Sequence, residues 1–202
     1  MMKILVADLE GVFLPEIWIN VAEKTGIEEL RLTTRDISDY NVLMKKRLSL
    51  LKKNNLKIQD IKAVIATLAP LEGAKDILDW IRENSQIILL SDTFEEFAKP
   101  LMAKLNYPLL LCHSLTIDKK GNITDYNLRM ENQKKEAVKA LKGMNYQVIA
   151  FGDSYNDIKM LQAADQGFFF NPPESVITDF PDIPVTMNYS ELKTMIASLL
   201  DI

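Results

Sequence analysis

Residues 4–12 read ILVADLEGV, an apolar run that meets two carboxylates and then a glycine. A short apolar run that ends at a turn signal is typical of a strand buried on both faces of a parallel sheet. Asp8 and Glu10 then lie at the carboxyl end of this strand, where open α/β sheets bind ligands. Because carboxylates this close repel each other, a divalent cation would stabilise them. The stretch therefore predicts a metal-assisted site, with one carboxylate available for attack and another for moving protons.

Two later apolar runs also end in polar side chains. Residues 87–90 read IILL and are followed by Ser91, Asp92 and a threonine. Residues 148–151 read VIAF and are followed by the segment GDSYND, which contains Asp153. Because ligands bind at the carboxyl ends of parallel strands, these side chains are expected to converge with the two carboxylates of the first strand.

A pair of lysines, Lys134 and Lys135, opens the helical pattern that precedes the last of these strands. A lysine among carboxylates and a hydroxyl makes a site suited to a phosphate and to Mg²⁺, which prefers oxygen ligands and keeps bound water. The sequence thus predicts a magnesium-dependent phosphate site.

Strand and helix patterns alternate along most of the chain. This alternation predicts βαβ units and hence an α/β fold with a parallel sheet. A turn at residues 119–122 separates two stretches of strand character and predicts a hairpin. The predicted strands are at residues 4–7, 87–90, 109–111, 148–151 and 168–170, and the predicted helices are at residues 74–82, 94–104, 135–141, 157–164 and 189–200.

Residues 15–70 break this alternation, because only helical patterns are found there. A helical segment inserted just after the first catalytic loop would hang over the site, where it can exclude water and add substrate contacts. We therefore expect a core domain at residues 1–14 and 71–202 and a helical cap domain at residues 15–70.

The composition narrows the class of protein. The chain has 202 residues, of which 48% are hydrophobic, enough for one sizeable domain with an insertion. A net charge of −4 argues against a nucleic-acid partner, and no apolar run is long enough to span a membrane. The single cysteine, Cys112, fits a reducing cytoplasm and is interpreted as a buried structural thiol. The only histidine, His113, is interpreted as a structural or surface residue, and either a monomer or a homodimer is compatible with the sequence.

Together, the polar segments resemble the four motifs of the haloacid dehalogenase-type phosphotransferases, and the order and spacing match over residues 3 to about 170. PEIWI at 15–19 and TTRDI at 33–37 make the chain more similar to the phosphoserine phosphatases, and within them to a branch that also transfers the phosphoryl group to homoserine. This resemblance implies a Rossmann-like three-layer parallel sheet, an inserted all-helical cap and a Mg²⁺ cofactor. The four motifs are DLEGV at 8–12, SDT at 91–93, Lys134, and GDSYND at 152–157.

The resemblance also implies a role for each carboxylate. Asp8 would be the nucleophile that forms an aspartyl-phosphate, and Glu10 would be the general acid and then the general base. Asp8 and Asp153 would bind the metal through their side chains, and Glu10 through its backbone carbonyl. Asp157 would orient water or Lys134, or else be an ordinary acid in the first turn of a helix. Most members of the superfamily have aspartate where this chain has Glu10, whose longer side chain reaches further.

The other polar motif residues are expected to hold the phosphate or the substrate. Ser91, Asp92 and Lys134 are assigned to this role, with Lys135 as the alternative lysine. Asn156 would contact the phosphate or the substrate, or else only cap a turn.

Substrate selection needs further groups, since an amino acid carries both an ammonium and a carboxylate. By resemblance, Glu16 and Arg47 of the cap would bind these two groups, and Tyr40 would lie near the substrate. Arginine suits a bidentate contact with a carboxylate. From the sequence alone, Arg47 would instead be one of three basic residues on a solvated helix face.

Three functions are therefore compared. The leading one is a Mg²⁺-dependent phosphatase for L-phosphoserine that also transfers the phosphoryl group to homoserine. The second is the same chemistry on another small phosphomonoester, such as a sugar or nucleotide phosphate. The third is a non-catalytic binding module, against which the intact set of motif residues argues.

Overall fold

The computed structural model describes residues 1–34, 36–37 and 39–202. Within those residues, seven strands form one sheet. All neighbouring strands are parallel except one pair at an edge. In chain order the strands are β1 (Met2–Ala7), β2 (Gln86–Phe94), β3 (Leu110–Ile117), β4 (Ile123–Asn127), β5 (Tyr146–Gly152), β6 (Gln166–Phe170) and β7 (Val185–Thr186).

The first strand lies in the middle of the sheet, whose order is β4-β3-β2-β1-β5-β6-β7. Ala7, the last residue of β1, is level with Leu89 of β2 on one side and with Phe151 of β5 on the other. From β1, the chain adds β2, β3 and β4 on one side of the sheet and then β5, β6 and β7 on the other. The point where the order reverses, between β1 and β5, is where α/β sheets bind ligands. The carboxyl ends of β1, β2 and β5 therefore meet at this point.

Helices connect the strands, and their bounds agree with the predicted patterns to within a few residues. A 3₁₀ turn at Glu28–Arg31 follows the first helix, and another at Ala103–Leu105 extends the fifth. The α-helices of the described residues are α1 (Ile17–Thr25), α2 (Tyr40–Lys53), α3 (Ile58–Ala66), α4 (Ala74–Asn84), α5 (Glu95–Met102), α6 (Gln133–Gly143), α7 (Ile158–Ala163), α8 (Glu174–Asp179) and α9 (Tyr189–Leu200).

The sheet is covered by helices on both faces. Successive side chains of a strand point to opposite faces. Accordingly, Leu5 and Ala7 belong to one hydrophobic cluster, with α4, α5 and α9, and Ile4 and Val6 belong to another, with α6, α7 and α8. This three-layer α/β architecture confirms the predicted fold class.

In residues 15–70, the regular secondary structure of the described residues is helical, as predicted. Val21 of α1 and Ile61 of α3 are fully buried and belong to the same hydrophobic cluster as Leu5 of the sheet. The segment is thus packed onto the sheet by continuous apolar contact. The division into a core domain (1–14 and 71–202) and a cap domain (15–70) stays a prediction.

The hairpin was predicted correctly, but its first strand is longer than the sequence suggested. β3 begins parallel to β2 and ends antiparallel to β4, and it takes in Cys112 and His113. The two-residue strand β7 and the six-residue helix α8 were not predicted, because elements this short show no periodicity.

Arg35 and Ser38 lie outside the described residues, so the stretch TTRDI at 33–37 is described only in part. Among the helices that are described, none is long and apolar enough to cross a membrane.

Candidate active site

Asp8 lies directly after β1 and is buried, with only 4% of its surface exposed. One carboxylate oxygen accepts a hydrogen bond from the backbone N–H of Leu9 at 2.7 Å. The other forms an ion pair with Lys134, at 2.9 Å from its Nζ atom. The same Nζ donates to Oδ1 of Asp157 at 2.8 Å. Lys134, the first-turn residue of α6, thus joins the ends of two neighbouring strands.

Three buried carboxylates cluster around this lysine. Asp8, Asp153 and Asp157 each offer an oxygen atom, and these oxygens lie within 4.8 Å of one another. One lysine cannot balance three buried carboxylates, and burying uncompensated charge is costly. Carboxylate oxygens in such a group are the ligands that Mg²⁺ prefers, so the residues present fit this ion.

Two glycines allow the carboxylates to approach the backbone. Gly11 has a φ of +79°, and a β-carbon on it would collide with the carboxylate of Asp153. A β-carbon on Gly152 would collide with the carboxylate of Asp157. Gly11 therefore makes room for an acid of the segment after β5, and Gly152 makes room for an acid of its own segment.

Both carboxylate oxygens of Asp157 accept hydrogen bonds within the site. Its second oxygen accepts hydrogen bonds from the backbone N–H groups of Asp153 and Ser154, at 3.0 and 3.1 Å. Together with the bond from Lys134, these contacts hold the lysine and the turn after β5 in place. These contacts favour the role in which Asp157 orients Lys134 over that of an ordinary acid in the first turn of a helix.

The electrostatics of the cluster follow from burial. Burial, and next the charge of Asp157, raises the pKa of Asp8 well above its usual value, although Lys134 opposes this. Burial by itself lowers the pKa of Lys134, but the carboxylates of Asp157 and Asp8 outweigh it and raise that pKa. Lys134 therefore stays positively charged beside Asp8.

Glu10 faces the helical segment. One of its oxygens accepts a hydrogen bond from the backbone N–H of Ile17 at 2.8 Å, at the start of α1. Burial, with Glu16 as the next cause, raises the pKa of Glu10 to about 7. A carboxyl group with such a pKa can both give and take a proton near neutral pH.

Arg47 points into the protein rather than to solvent. Only 6% of the residue is exposed, and its guanidinium lies over the Trp18 ring, 4.6 Å from the ring centroid. One nitrogen donates to the carbonyl of Leu32 at 2.8 Å, while Nε has no hydrogen-bond partner in the described structure. Burial lowers the pKa of Arg47 to about 10, so the side chain stays charged at neutral pH. The interpretation of Arg47 as one of three basic residues on a solvated helix face is therefore wrong.

Ser91 and Asp92 follow in the last part of β2. The hydroxyl of Ser91 is buried and accepts a hydrogen bond from the backbone N–H of Thr93 at 3.2 Å. Asp92 accepts a hydrogen bond from Asn156 at 3.1 Å, and its carbonyl accepts one from the Tyr40 hydroxyl at 2.8 Å. Tyr40 therefore ties the start of α2 to the end of β2.

One pocket is lined both by residues of the sequence motifs, such as Asp8 and Ser91, and by residues of the helical segment, such as Glu16 and Arg47. Neither Lys134 nor Lys135 is among its lining residues, but Lys134 forms an ion pair with Asp8, which does line the pocket, while Lys135 is only partly buried. Gln133, which no sequence pattern pointed to, and His113, which was interpreted as a structural or surface residue, both contact Asp92. The pocket is lined by Asp8, Glu10, Glu16, Trp18, Thr33, Thr34, Tyr40, Leu43, Arg47, Ser91, Asp92, Thr93, Ser154 and Asn156.

The chain is similar to known proteins over almost its whole length. A phosphoserine phosphatase of Pseudomonas syringae pv. tomato is 54% identical over 186 residues, which are 92% of this chain and 78% of that protein. The phosphoserine phosphatase ThrH of Pseudomonas aeruginosa is 54% identical over 192 residues, 95% of this chain and 94% of that protein.

Solved structures share the fold. A substrate-bound phosphoserine phosphatase complex superposes with a TM-score of 0.77 at 21% identity, covering 96% of this chain and 98% of that one. A phospho-aspartyl intermediate analogue of phosphoserine phosphatase gives a TM-score of 0.75 at 22% identity, with the same two coverages. The profile of the haloacid dehalogenase-like hydrolases matches residues 2–165. The chain therefore belongs to the haloacid dehalogenase-like hydrolase family, in which its 54% identical relatives are named phosphoserine phosphatases.

Proposed function

We propose that this enzyme is a Mg²⁺-dependent phosphoserine phosphatase that works through an aspartyl-phosphate at Asp8 and also transfers the phosphoryl group to homoserine. The observation that carries the proposal is the composition of one pocket. Asp8 and Ser91 line it on the sheet side, and Glu16 and Arg47 line it on the helical side. The names of the two relatives described above support phosphoserine as the substrate.

The first half-reaction uses Asp8 as the nucleophile. An oxygen of its carboxylate attacks phosphorus, and the bond from phosphorus to the serine oxygen breaks. Glu10 gives its proton to the departing serine oxygen, and the pKa of about 7 makes the protonated form available near neutral pH. Lys134 and the Ser91 hydroxyl stabilise the phosphoryl oxygens as charge develops on them.

A bound metal ion would supply positive charge in addition to that of Lys134. Asp8, Asp153 and the backbone carbonyl of Glu10 would hold Mg²⁺, which, when bound, neutralises phosphoryl charge and repulsion between carboxylates. Asp157 keeps Lys134 and the backbone of the Asp153 turn in position. Gly11 leaves the space that the Asp153 carboxylate occupies.

The second half-reaction transfers the phosphoryl group to an oxygen nucleophile. Glu10 takes the proton of a water molecule or an alcohol, whose oxygen attacks phosphorus and releases the Asp8 carboxylate. Homoserine is serine with one more methylene, so it can use the same contacts for its ammonium and carboxylate. Glu16 and Arg47 would provide them, and the longer side chain of Glu10 would reach the shifted hydroxyl.

One assay tests both halves of the proposal. The enzyme is incubated with L-phosphoserine, with Mg²⁺ or with EDTA, and with increasing homoserine, and the products are followed by phosphorus NMR. We expect inorganic phosphate without homoserine, an increasing share of O-phosphohomoserine with it, and neither product in EDTA. Inorganic phosphate alone at every homoserine concentration would refute the transferase activity.

A substrate panel separates the proposal from its alternatives. Turnover of sugar or nucleotide phosphates in preference to phosphoserine would make the enzyme a phosphatase of another phosphomonoester. No turnover of any phosphate ester with Mg²⁺ would favour a binding module. Glu10→Asp is the matched variant for the acceptor step, since it keeps the carboxylate and shortens its reach. We expect it to shift the products toward inorganic phosphate or to slow both paths.

A further inference from the structure

The partly buried Asp92 carboxylate lies at the centre of a polar network that none of the roles described above explains. Oδ1 accepts a hydrogen bond from Gln133 Nε2 at 3.0 Å and lies 3.5 Å from Nε2 of His113. Oδ2 accepts a hydrogen bond from Asn156 at 3.1 Å. His113 and Gln133 are both buried, with 5% and 2% exposure. The network joins β2, β3, α6 and the turn after β5.

The protonation of the His113 ring is determined by its neighbour Arg129. The backbone N–H of Arg129 donates to Nδ1 of His113 at 3.1 Å, so Nδ1 carries no proton. In a neutral imidazole the proton is then on Nε2, which lies 3.4 Å from Nε2 of Gln133 and 3.5 Å from Oδ1 of Asp92. The amide nitrogen of Gln133 can only donate, so Asp92 is the acceptor of the pair. His113 therefore donates to the Asp92 carboxylate.

Arg129 orients Gln133 in the same way. Its Nε atom, which can only donate, lies 3.0 Å from Oε1 of Gln133. The amide nitrogen of Gln133 must then face the opposite side, where it donates to Oδ1 of Asp92 and to the backbone carbonyl of Ser91. Both donors that reach Oδ1 are thus fixed by one arginine.

Asp92 remains ionised in this environment. Burial alone would raise its pKa, but Lys134 and the hydrogen bonds from His113, Gln133 and Asn156 outweigh burial and lower it. An ionised carboxylate only accepts hydrogen bonds, so the group of Asn156 that faces it must be the amide N–H₂. The Asn156 carbonyl accepts from the Ser154 hydroxyl on its other side. The second N–H of Asn156 is not used in these contacts, and Asn156 lines the same pocket as Asp8.

We propose that His113 is a positioning residue, which holds the Asp92 carboxylate so that Asn156 presents an amide N–H, and not its carbonyl, to the phosphoryl group. This role rests on the proposed phosphatase function. His113 itself lies outside the residues that line the catalytic pocket and acts through Asp92. Loss of its Nε2 donor would leave Gln133 to hold Oδ1 alone, which loosens the carboxylate and lets Asn156 turn over more easily.

The first test observes the ring directly and does not depend on activity. His113 is the only histidine of the chain, so ¹⁵N-histidine labelling gives one pair of ring signals. At mildly alkaline pH we expect a protonated Nε2 and an unprotonated Nδ1. A ring with its proton on Nδ1, or one that exchanges between the two forms as free histidine does, would overturn the proposal.

The second test uses two matched variants. In His113→Gln the amide nitrogen takes the place of Nε2 and keeps the donor to Asp92. In His113→Asn the amide oxygen takes the place of Nδ1 and keeps the acceptor for Arg129, but nothing replaces Nε2. Each variant gives up one hydrogen bond of the ring, so both are expected to lose similar stability.

The turnover of the two variants is expected to differ. His113→Asn should lower kcat by about tenfold or more, as expected when a hydrogen bond to a charged group is lost. The loss should be the same for phosphoserine and for an aryl phosphate, because both carry the phosphoryl group. His113→Gln should retain most of the wild-type kcat. Equal losses in the two variants, in proportion to their melting temperatures, would show that His113 only supports the fold.

The wild-type enzyme separates this inference from the proposed function. If it does not hydrolyse phosphoserine or an aryl phosphate, the proposed function fails, while the ring signals still report whether the network exists. If it is active and the two variants are equally impaired, the positioning role fails and the phosphatase function stands.

Discussion

Replacing Gly11 by alanine should damage the site far more than the same change at a similar glycine elsewhere. Gly11 has a φ of +79°, and an added methyl group would lie within 3.0 Å of the carboxyl atoms of Asp153. Gly26, at the end of α1, has a φ of +69°, and an added methyl group would meet nothing within 4 Å. Both variants therefore place alanine in a left-handed backbone conformation, and only Gly11→Ala also brings its methyl group into collision with Asp153.

The expected magnitudes follow from these distances. A left-handed conformation costs a residue other than glycine ~1–2 kcal/mol, and Gly→Ala recovers roughly 0.4–1 kcal/mol by restricting the unfolded chain. Gly26→Ala should thus lower the free energy of unfolding by at most about 1.5 kcal/mol. At Gly11 the Asp153 carboxylate must also move by up to about 1 Å to reach ordinary contact, and crowding of this kind costs roughly 1–3 kcal/mol more. A displacement of ~1 Å in a catalytic group lowers the rate by about a hundredfold.

The assay combines urea unfolding in EDTA with turnover of phosphoserine in saturating Mg²⁺. Gly26→Ala should turn over at nearly the wild-type rate, because it lies at a helix end away from the pocket. Gly11→Ala should be less stable than Gly26→Ala and about a hundredfold slower. If the two variants have equal stability and equal turnover, the close approach of Asp153 to the backbone does not matter to the site.

Three further predictions concern single side chains. Asp8→Asn should keep the fold, measured by circular dichroism, but lose more than about a thousandfold in turnover, since a covalent role is worth ~4 kcal/mol or more; a smaller loss would exclude that role. Arg47→Ala should raise the KM for phosphoserine by roughly tenfold or more but leave that for an aryl phosphate nearly unchanged, because only the amino acid has a carboxylate; equal effects would mean that Arg47 supports the fold alone. Burial, together with Glu95 and Glu96, raises the pKa of Cys112 to about 12, so iodoacetamide at neutral pH should modify it at least about a hundredfold more slowly than free cysteine; rapid labelling would contradict this.

Elements with a strong local pattern could be predicted from the sequence. The buried stripes of α1 and α3, and the apolar runs of β1 and β5, were recognised from their spacing, because each buries one side of a helix or both faces of a strand. The convergence of Asp8, Ser91 and Asp153 followed from a rule of topology, since the carboxyl ends of parallel strands share an edge.

The direction of single side chains could not be predicted in this way. Arg47 lies beside Lys46 in a strongly basic stretch of α2, yet it is buried over Trp18, whose position depends on another helix. Likewise, the contact of His113 with Asp92 joins residues 21 positions apart, and that of Gln133 with Asp92 joins residues 41 apart. No local periodicity encodes such pairs, because they exist only once the strands have been placed side by side.

Several positions where this chain breaks local rules lie in the candidate site. Asp8 and Asp157 are buried charges with one lysine between them, and Gly11 has a backbone conformation that other residues avoid. Each of these features destabilises a folded chain by itself, so the surrounding structure must offset it. β1 does so by burying its last four residues in the middle of the sheet, where neighbours on both sides hold the strand end rigidly. A carboxylate on a flexible loop would turn away from its like-charged neighbours, whereas one at the end of this strand is held among them, as the proposed reaction at Asp8 requires.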